Sequence, residues 1–405
     1  MKYAIHNGEK MLYNDVMRIG IFGGSYDPVH LGHIWTARSV CRELGLDKLL
    51  MVVASDPPHK PNNDRLPGSV RYRMLDSALQ NEERIFASDI ELKRSGKSYT
   101  VDTVELLRNS CRGAELFLIV GGDMLENFPH WREPERILSM CTLVAVTRPD
   151  EARDMRAIAD RIESDLHGRV LLSSFTGPQI SSTEVRRRMS EALPVDTMVA
   201  LPTELYMYEN ALYMPRELRA VRLKLSERIK RKRLDHTMLT ACEAVKLAFR
   251  YGADTKKARL AAMLHDCVKL PNKDLIAFCD ENHYDISDFE RKNPYLIHAR
   301  LGAVIAGEDY GVTDPEVLEA IRNHTLGKVG MSLLDKVIYV ADKIEPSRDY
   351  DGLNEIRRTA YEDIDRAMLL VMEHSADYTR RSGREINPST KAVMDFLRSE
   401  MEKKS

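Results

Sequence analysis

Through the first half of the chain, short apolar runs alternate with stretches of helical periodicity. Met17 to Phe22, Lys48 to Ala54, Glu115 to Val120, Thr142 to Val146 and Arg169 to Ser173 read as strands. Ile34 to Leu44, Val70 to Leu79 and Val101 to Leu107 read as helices between them. Such alternation predicts a parallel sheet covered on both faces, with ligands bound beyond the strand C-termini. Near Met214-Pro215 the pattern changes. A basic helical run, Arg216 to Arg233, leads into segments with a helical period and almost no strand signal: Met238 to Phe249, Ala258 to Leu270, Pro315 to Asn323 and Asp363 to Glu373. The chain is therefore expected to hold an α/β domain over 18–213 and an all-α domain over 216–405. Residues 1–17 form an N-terminal extension that matches no element.

The segment Gly20-Ile-Phe-Gly-Gly-Ser-Tyr-Asp-Pro-Val-His-Leu-Gly-His33 joins a strand, a glycine turn and a two-histidine loop. Gly23-Gly24 let backbone N–H groups approach a phosphate, and Gly32-His33 opens a helix whose N-terminus favours anions. The segment thus predicts a nucleotide phosphate site. A second anion motif follows the last strand run, where Ser181-Ser-Thr-Glu184 is a capping box at a helix start and Arg186 sits one turn in to pair with phosphate.

The second half carries a different constellation: His236, His265-Asp266, His298, His324 and Asp342, each on or beside an expected helix. His265 and Asp266, placed on one helix, would stand about 100° apart, so both can lean towards one ion. Mixed imidazole and carboxylate ligands suit iron, manganese or zinc, and the residues alone do not choose among them.

At 405 residues the chain exceeds what one core usually supports. A formal charge of −2, with charges of mixed sign, predicts no nucleic-acid partner. The six cysteines show no paired spacing, which suits reduced thiols. No stretch approaches about 18 consecutive apolar residues and the N-terminus has no hydrophobic core region, so no membrane association and a cytoplasmic location are expected. A homo-oligomer is compatible with the sequence, which does not set the oligomeric state.

The Gly20–His33 segment resembles the signature of the Rossmann-like nucleotidyltransferase superfamily. Three further segments are similar to the bacterial nicotinate-nucleotide adenylyltransferases in particular: Pro57-Pro-His-Lys60, Lys97-Ser-Tyr-Thr-Val-Asp-Thr103, and Phe117-Leu-Ile-Val-Gly-Gly-Asp123 with Trp131. The resemblance implies transfer of AMP from ATP to nicotinate mononucleotide, with Mg²⁺ on the departing pyrophosphate. It also implies that His30 and His33 stabilise the transferring phosphate, with Lys60 on a nearby loop and Arg186 on the phosphates. Gly23, Gly24, Ser25, Gly122, Ser181 and Ser182 would line the nucleotide, Asp123 hold a ribose, Tyr99 and Thr100 line the pyridine pocket, and Trp131 stack on the ring. Tyr26 stands where that family commonly has Phe, and Gly122 where it often has Ala. Nicotinamide mononucleotide and phosphopantetheine remain alternative acceptors.

The second half resembles the HD-domain phosphohydrolases. Through Arg233-Leu-Asp-His-Thr237, Leu264-His-Asp-Cys-Val-Lys269, His298-Ala-Arg-Leu-Gly-Ala303, Ile321-Arg-Asn-His-Thr325 and Tyr339-Val-Ala-Asp-Lys-Ile-Glu-Pro-Ser-Arg348 it is similar to the bacterial family that splits diadenosine tetraphosphate into two ADP. That resemblance implies a di-iron centre. His236, His265, Asp266 and Asp342 would hold one metal, and Asp266, His298 and His324 the other. Two such ions, about 3.5 to 4 Å apart, clamp the oxygens of an in-line phosphoryl displacement. Lys269, Lys343 and Arg348 would neutralise the polyphosphate. A different nucleotide phosphohydrolase, or a nucleotide-sensing module without chemistry, is the alternative.

Overall fold

The computed structural model describes residues 16–55, 65–94, 96, 98–147, 154–268 and 272–404. The chain divides into two compact units. One extends to Val185 and includes Asp196–Glu204; the other comprises Arg186–Val195 and Leu205–Ser405.

The first unit is built on six strands: β1 (Arg18–Gly24), β2 (Lys48–Val53), β3 (Ile85–Ser88), β4 (Glu115–Gly121), β5 (Thr142–Thr147) and β6 (Val170–Thr176). Their order is β3-β2-β1-β4-β5-β6, and every neighbouring pair is parallel. The α/β class expected from the alternating pattern is observed. Met51, Val52 and Val53 of β2 and Leu116, Phe117, Leu118, Ile119 and Val120 of β4 are buried in unbroken succession, the near-continuous apolar signature of strands covered on both faces. The chain steps from β1 outwards to β3, then returns to place β4 on the other side of β1. This reversal leaves a crevice at the carboxyl ends of β1 and β4.

The periodicity missed β3. Only four residues long, it pairs with β2 alone and buries Ile85 while Phe86 stays 40% exposed, so its apolar pattern is too brief to register. Gly20, in the middle of β1, has a packing reason to lack a side chain. A Cβ there would stand 2.7 Å from Leu46 Cδ1 and 3.1 Å from Leu49 Cγ.

Among the described residues, the second unit is entirely helical, as expected. Two of the expected helices are interrupted or cut short. The basic run is not one helix: Arg216–Arg228 ends where Ile229 turns extended (φ −117°, ψ 151°) and buries its side chain, and Arg231–Tyr251 begins after Lys230. The helix expected over Ala258 to Leu270 is observed as Thr255–Leu264. His265 closes it, its ring bonding back to the Ala262 carbonyl while Cys267 N–H bonds to Leu264 O. His265 and Asp266 therefore lie on a tight turn, not on a continuing helix face. Pro315–Asn323 has the expected bounds, and Ile364–Arg381, capped by Asp363, runs further than its apolar pattern. No described helix is long and apolar enough to cross a membrane.

Gly20→Ala should destabilise the first unit by about 1–3 kcal/mol through overpacking, read as a lower denaturant midpoint at unchanged slope. An unchanged midpoint would mean that Leu46 and Leu49 yield freely.

Candidate active sites

In the first unit a cavity of about 850 Å³ opens at the β1–β4 crevice. Gly23, Gly24 and Ser25 line it where β1 ends, and His30, Gly32 and His33 line it where the helix Leu31–Glu43 begins. The loop between them is held from behind. Arg71, only 1% exposed, donates to the carbonyls of Ser25 (2.6 Å), Ala54 (2.8 Å) and Leu66 (2.9 Å). Tyr26 is buried beneath the glycine turn and donates its hydroxyl to Phe22 O at 2.5 Å. A Cβ on Gly24 would meet that ring at 2.7 Å, so the turn has room for glycine only. The His30 and His33 rings stack with centroids 3.6 Å apart. His30 N–H donates to His33 Nδ1 (3.2 Å), so a neutral His33 carries its proton on Nε2 and offers a hydrogen-bond donor there.

Elsewhere the cavity is aromatic and polar. Tyr99 and Thr100 line it at the start of the helix Thr100–Ser110, Asp123 at the start of Gly122–Asn127, and Trp131 just beyond. The Trp131 ring leans on Phe128 (5.2 Å), and its buried indole N–H has no hydrogen-bond partner among the described residues. The Arg132 guanidinium lies 4.6 Å over the Tyr99 ring, also in the cavity wall. The helix Ser182–Glu191 starts as its capping box implies, with Glu184 N–H donating to Ser181 Oγ (3.2 Å), and Ser182 Oγ donates to Pro28 O (2.9 Å). Ile180 lines the cavity, whereas Ser181, Ser182, Arg186 and Gly122 are not among its lining residues. Lys60 lies outside the described residues. Arg71 and Arg132 were not singled out from the sequence, because an arginine among solvated charges carries no local signal.

The second unit gathers His236, His265, His298, His324, Asp266 and Asp342. Each imidazole is tied on its outer side: His236 Nδ1 to Glu345 Oε1 (3.0 Å), His265 Nδ1 to Ala262 O (2.7 Å), His298 Nδ1 to Tyr295 O (2.6 Å), and His324 Nδ1 to Ile321 O (2.6 Å). A carbonyl or carboxylate oxygen can only accept, so every Nδ1 carries the proton and every Nε2 of a neutral ring presents a lone pair inwards. These lone pairs converge on other acceptors, with two donors also in reach, Arg348 Nη2 at His236 Nε2 (3.3 Å) and Thr325 Oγ1 at His298 Nε2 (3.2 Å). His298 Nε2 is 3.2 Å from His324 Nε2 and 3.6 Å from Asp266 Oδ1; His236 Nε2 is 3.0 Å from Asp342 Oδ1. His265 Nε2, fully buried, has no hydrogen-bond partner among the described residues and stands 3.7 Å from Asp342 Oδ1 and 3.9 Å from Asp266 Oδ2.

Residues 21–188 match the cytidylyltransferase-like family, and residues 233–347 match the HD domain. Among curated relatives, a probable nicotinate-nucleotide adenylyltransferase from Thermus thermophilus is 41% identical over 197 residues, covering 49% of this chain and 100% of that protein. One from Shouchella clausii is 37% identical over 196 residues, 48% of this chain and 96% of that protein. The chain belongs to the nicotinate-nucleotide adenylyltransferase family. The relatives account for the first half, and an HD domain follows. A solved structure described as a predicted HD superfamily hydrolase involved in NAD metabolism, from Clostridium acetobutylicum, is 36% identical, covers 45% of this chain and 96% of that one, and gives a TM-score of 0.43.

In this member of the adenylyltransferase family the HD cluster fits divalent cations on chemical grounds. Converging lone pairs and two carboxylates, with one buried nitrogen left unpaired, are what a cation would relieve. The ligand atoms fall into two groups of three, His236/His265/Asp342 and His265/Asp266/His324, each within 4.8 Å. Three basic side chains flank the carboxylates: Arg233 to Asp266 Oδ1 (2.9 Å), Lys343 to Asp342 Oδ2 (2.7 Å) and Arg348 to Asp342 Oδ1 (2.7 Å). Lys343 and Arg348 were expected here, Lys269 lies outside the described residues, and Arg233 and Glu345 were overlooked although both stand inside motifs already noted.

Burial alone would raise the Asp266 carboxyl, but His265, His298 and Arg233 hold it down at about 2. Burial and the neighbouring His265 and His298 depress His324 from 6.5 to about 3. For His324 the unfolded chain binds more protons throughout that window, so its contribution to stability is present above pH 6.5 and is lost as pH falls towards 3. Metal-free protein should therefore melt at progressively lower temperature between pH 7 and pH 5, followed by circular dichroism. A second-unit transition that stays level or rises would contradict a neutral buried His324.

Proposed function

We propose that the chain joins two activities, the first in residues 18–213 and the second in residues 216–405, behind an extension of residues 1–17. The first transfers AMP from ATP to nicotinate mononucleotide, giving nicotinate adenine dinucleotide and pyrophosphate. The observation that carries this reading is one cavity with two chemical poles, a glycine turn with stacked imidazoles and an aromatic wall holding Trp131 and Tyr99. The names of the curated relatives supply the substrate.

The attacking phosphate is already ionised near neutral pH, so no general base is needed and catalysis rests on positioning and charge stabilisation. The Gly23-Gly24 amides, Ser25 and the helix N-terminus at Gly32 cradle the triphosphate. His33 Nε2–H, with His30 beside it, donates to the charge that develops on the α-phosphate. Lys60, Ser181, Ser182 and Arg186 meet the outer phosphates, and Asp123 with Gly122 holds a ribose. Tyr99, Thr100 and Trp131 take the pyridine ring. Mg²⁺, when bound with ATP, supplies charge to the leaving pyrophosphate.

The second activity is hydrolysis of diadenosine tetraphosphate to two ADP at two metal ions, assigned as iron. What supports it is the set of six inward-facing ligands flanked by three cations suited to a polyphosphate. His236, His265, Asp266 and Asp342 would hold one ion and Asp266, His298 and His324 the other. Such ions supply Lewis acidity and a charge clamp to a phosphoryl displacement. Arg233, Lys343 and Arg348 are placed to share their charge between the ligand carboxylates and the incoming phosphates, and the family resemblance gives Lys269 the same task.

Trp131→Ala should raise the KM for nicotinate mononucleotide far more than that for ATP, because the stacking partner belongs to one substrate only. Equal increases would make Trp131 a structural anchor. Asp266→Ala should abolish diadenosine tetraphosphate hydrolysis and lower bound metal below that of His298→Ala, while adenylyl transfer persists in both. A fully metallated, active Asp266→Ala protein would remove the bridging role.

A further inference from the structure

Three of the four cluster imidazoles are oriented alike, each by the backbone carbonyl three residues before it: Ala262 for His265, Tyr295 for His298 and Ile321 for His324. His236 differs. Its Nδ1 meets the carboxylate of Glu345 at 3.0 Å, and Glu345 is fully buried. A buried carboxylate is costly unless it is held by donors. Here Ser347 N–H and Ser347 Oγ each bond to it at 2.6 Å, and Arg348 Nε stands 3.5 Å away.

The local chain explains how it reaches the ring. The helix Leu333–Ile344 stops at Glu345, whose backbone turns extended (φ −53°, ψ 156°). Asp342, one turn earlier, and Glu345 then grip opposite nitrogens of the same imidazole, Asp342 Oδ1 at Nε2 and Glu345 Oε1 at Nδ1, both 3.0 Å. An anionic acceptor draws the Nδ1 proton more strongly than a neutral carbonyl does. It thereby raises the electron density at Nε2 and makes that nitrogen the better donor to a cation.

We infer that Glu345 is a positioning residue that makes the two metal positions unequal: the one served by His236, with His265 and Asp342, fills first and holds its cation more tightly than the one served by His298 and His324. The inference rests on the proposed two-metal reading of this cluster. Glu345 touches no substrate; it acts through His236.

The test is a cobalt(II) titration of the full metal-free chain, competed against a chelator of known affinity, with the metal-free melting temperature as a check of folding. Wild type should give two distinct dissociation constants. Glu345→Gln keeps the shape and an acceptor oxygen but removes the charge, and should weaken the tighter constant by about 10- to 100-fold while the weaker one stays unchanged. Ser347→Ala, which loosens the carboxylate without touching His236, should weaken the same constant by less, and it decides the matter if Glu345→Gln fails to fold. Unchanged constants in these variants, or equal weakening of both, would overturn the inference and leave the metal centre standing. A wild-type chain that binds no cobalt would overturn the two-metal reading itself.

Discussion

The second half of this chain turns on four hydrogen bonds that point away from its centre. By spending the Nδ1 protons of His236, His265, His298 and His324 on oxygen acceptors, the helices fix each ring's tautomer and aim each Nε2 lone pair into one space that already holds Asp266 and Asp342. Acceptors 3.0 to 3.7 Å apart repel unless positive charge lies between them. The helical turns that end at His265 and His324 supply the carbonyls, so the backbone itself selects the tautomer. Arg233, Lys343 and Arg348 then balance the carboxylates from outside.

The first half depends on a different constraint, the reversal of strand order at β1 and β4. It opens the sheet where Gly23, Gly24 and Asp123 all emerge. Buried Arg71, with three carbonyl bonds, stiffens the turn that the glycines make possible, and Tyr26 fills the volume beneath it. Catalysis of phosphoryl transfer by positioning needs that stiffness, since little covalent work is left to side chains.

Much of this was legible in the sequence because its carriers are periodic or chemically rare. Five parallel strands announced themselves as short apolar runs, and histidines paired with aspartates stand out against a helical background. What stayed hidden depends on distance rather than on type. β3 buries one residue and could not be told from a loop. The break at Ile229 looks like continuous helix in sequence, because nothing forbids a helix there except the gain from burying the isoleucine. The turn at His265 arises from a ring-to-carbonyl bond that no pattern reveals. Glu345 and Arg233 sat in plain view within motifs, yet an acidic or basic residue near a ligand becomes a partner only when the fold closes the gap.

The central claim, that outer hydrogen bonds lock four imidazoles as Nδ1–H tautomers with inward Nε2 lone pairs, is tested most directly by ¹⁵N nuclear magnetic resonance of the metal-free chain labelled in its histidine rings. The account predicts protonated Nδ1 on all four rings and, at mildly alkaline pH, bare Nε2, with a shift confined to the Nε2 signals when zinc is added. His236, raised against its burial by its bonds to Asp342 and Glu345, should be the slowest to give up its Nε2 proton as pH rises. Rings found as Nε2–H tautomers, or Nε2 signals that ignore the metal, would contradict it.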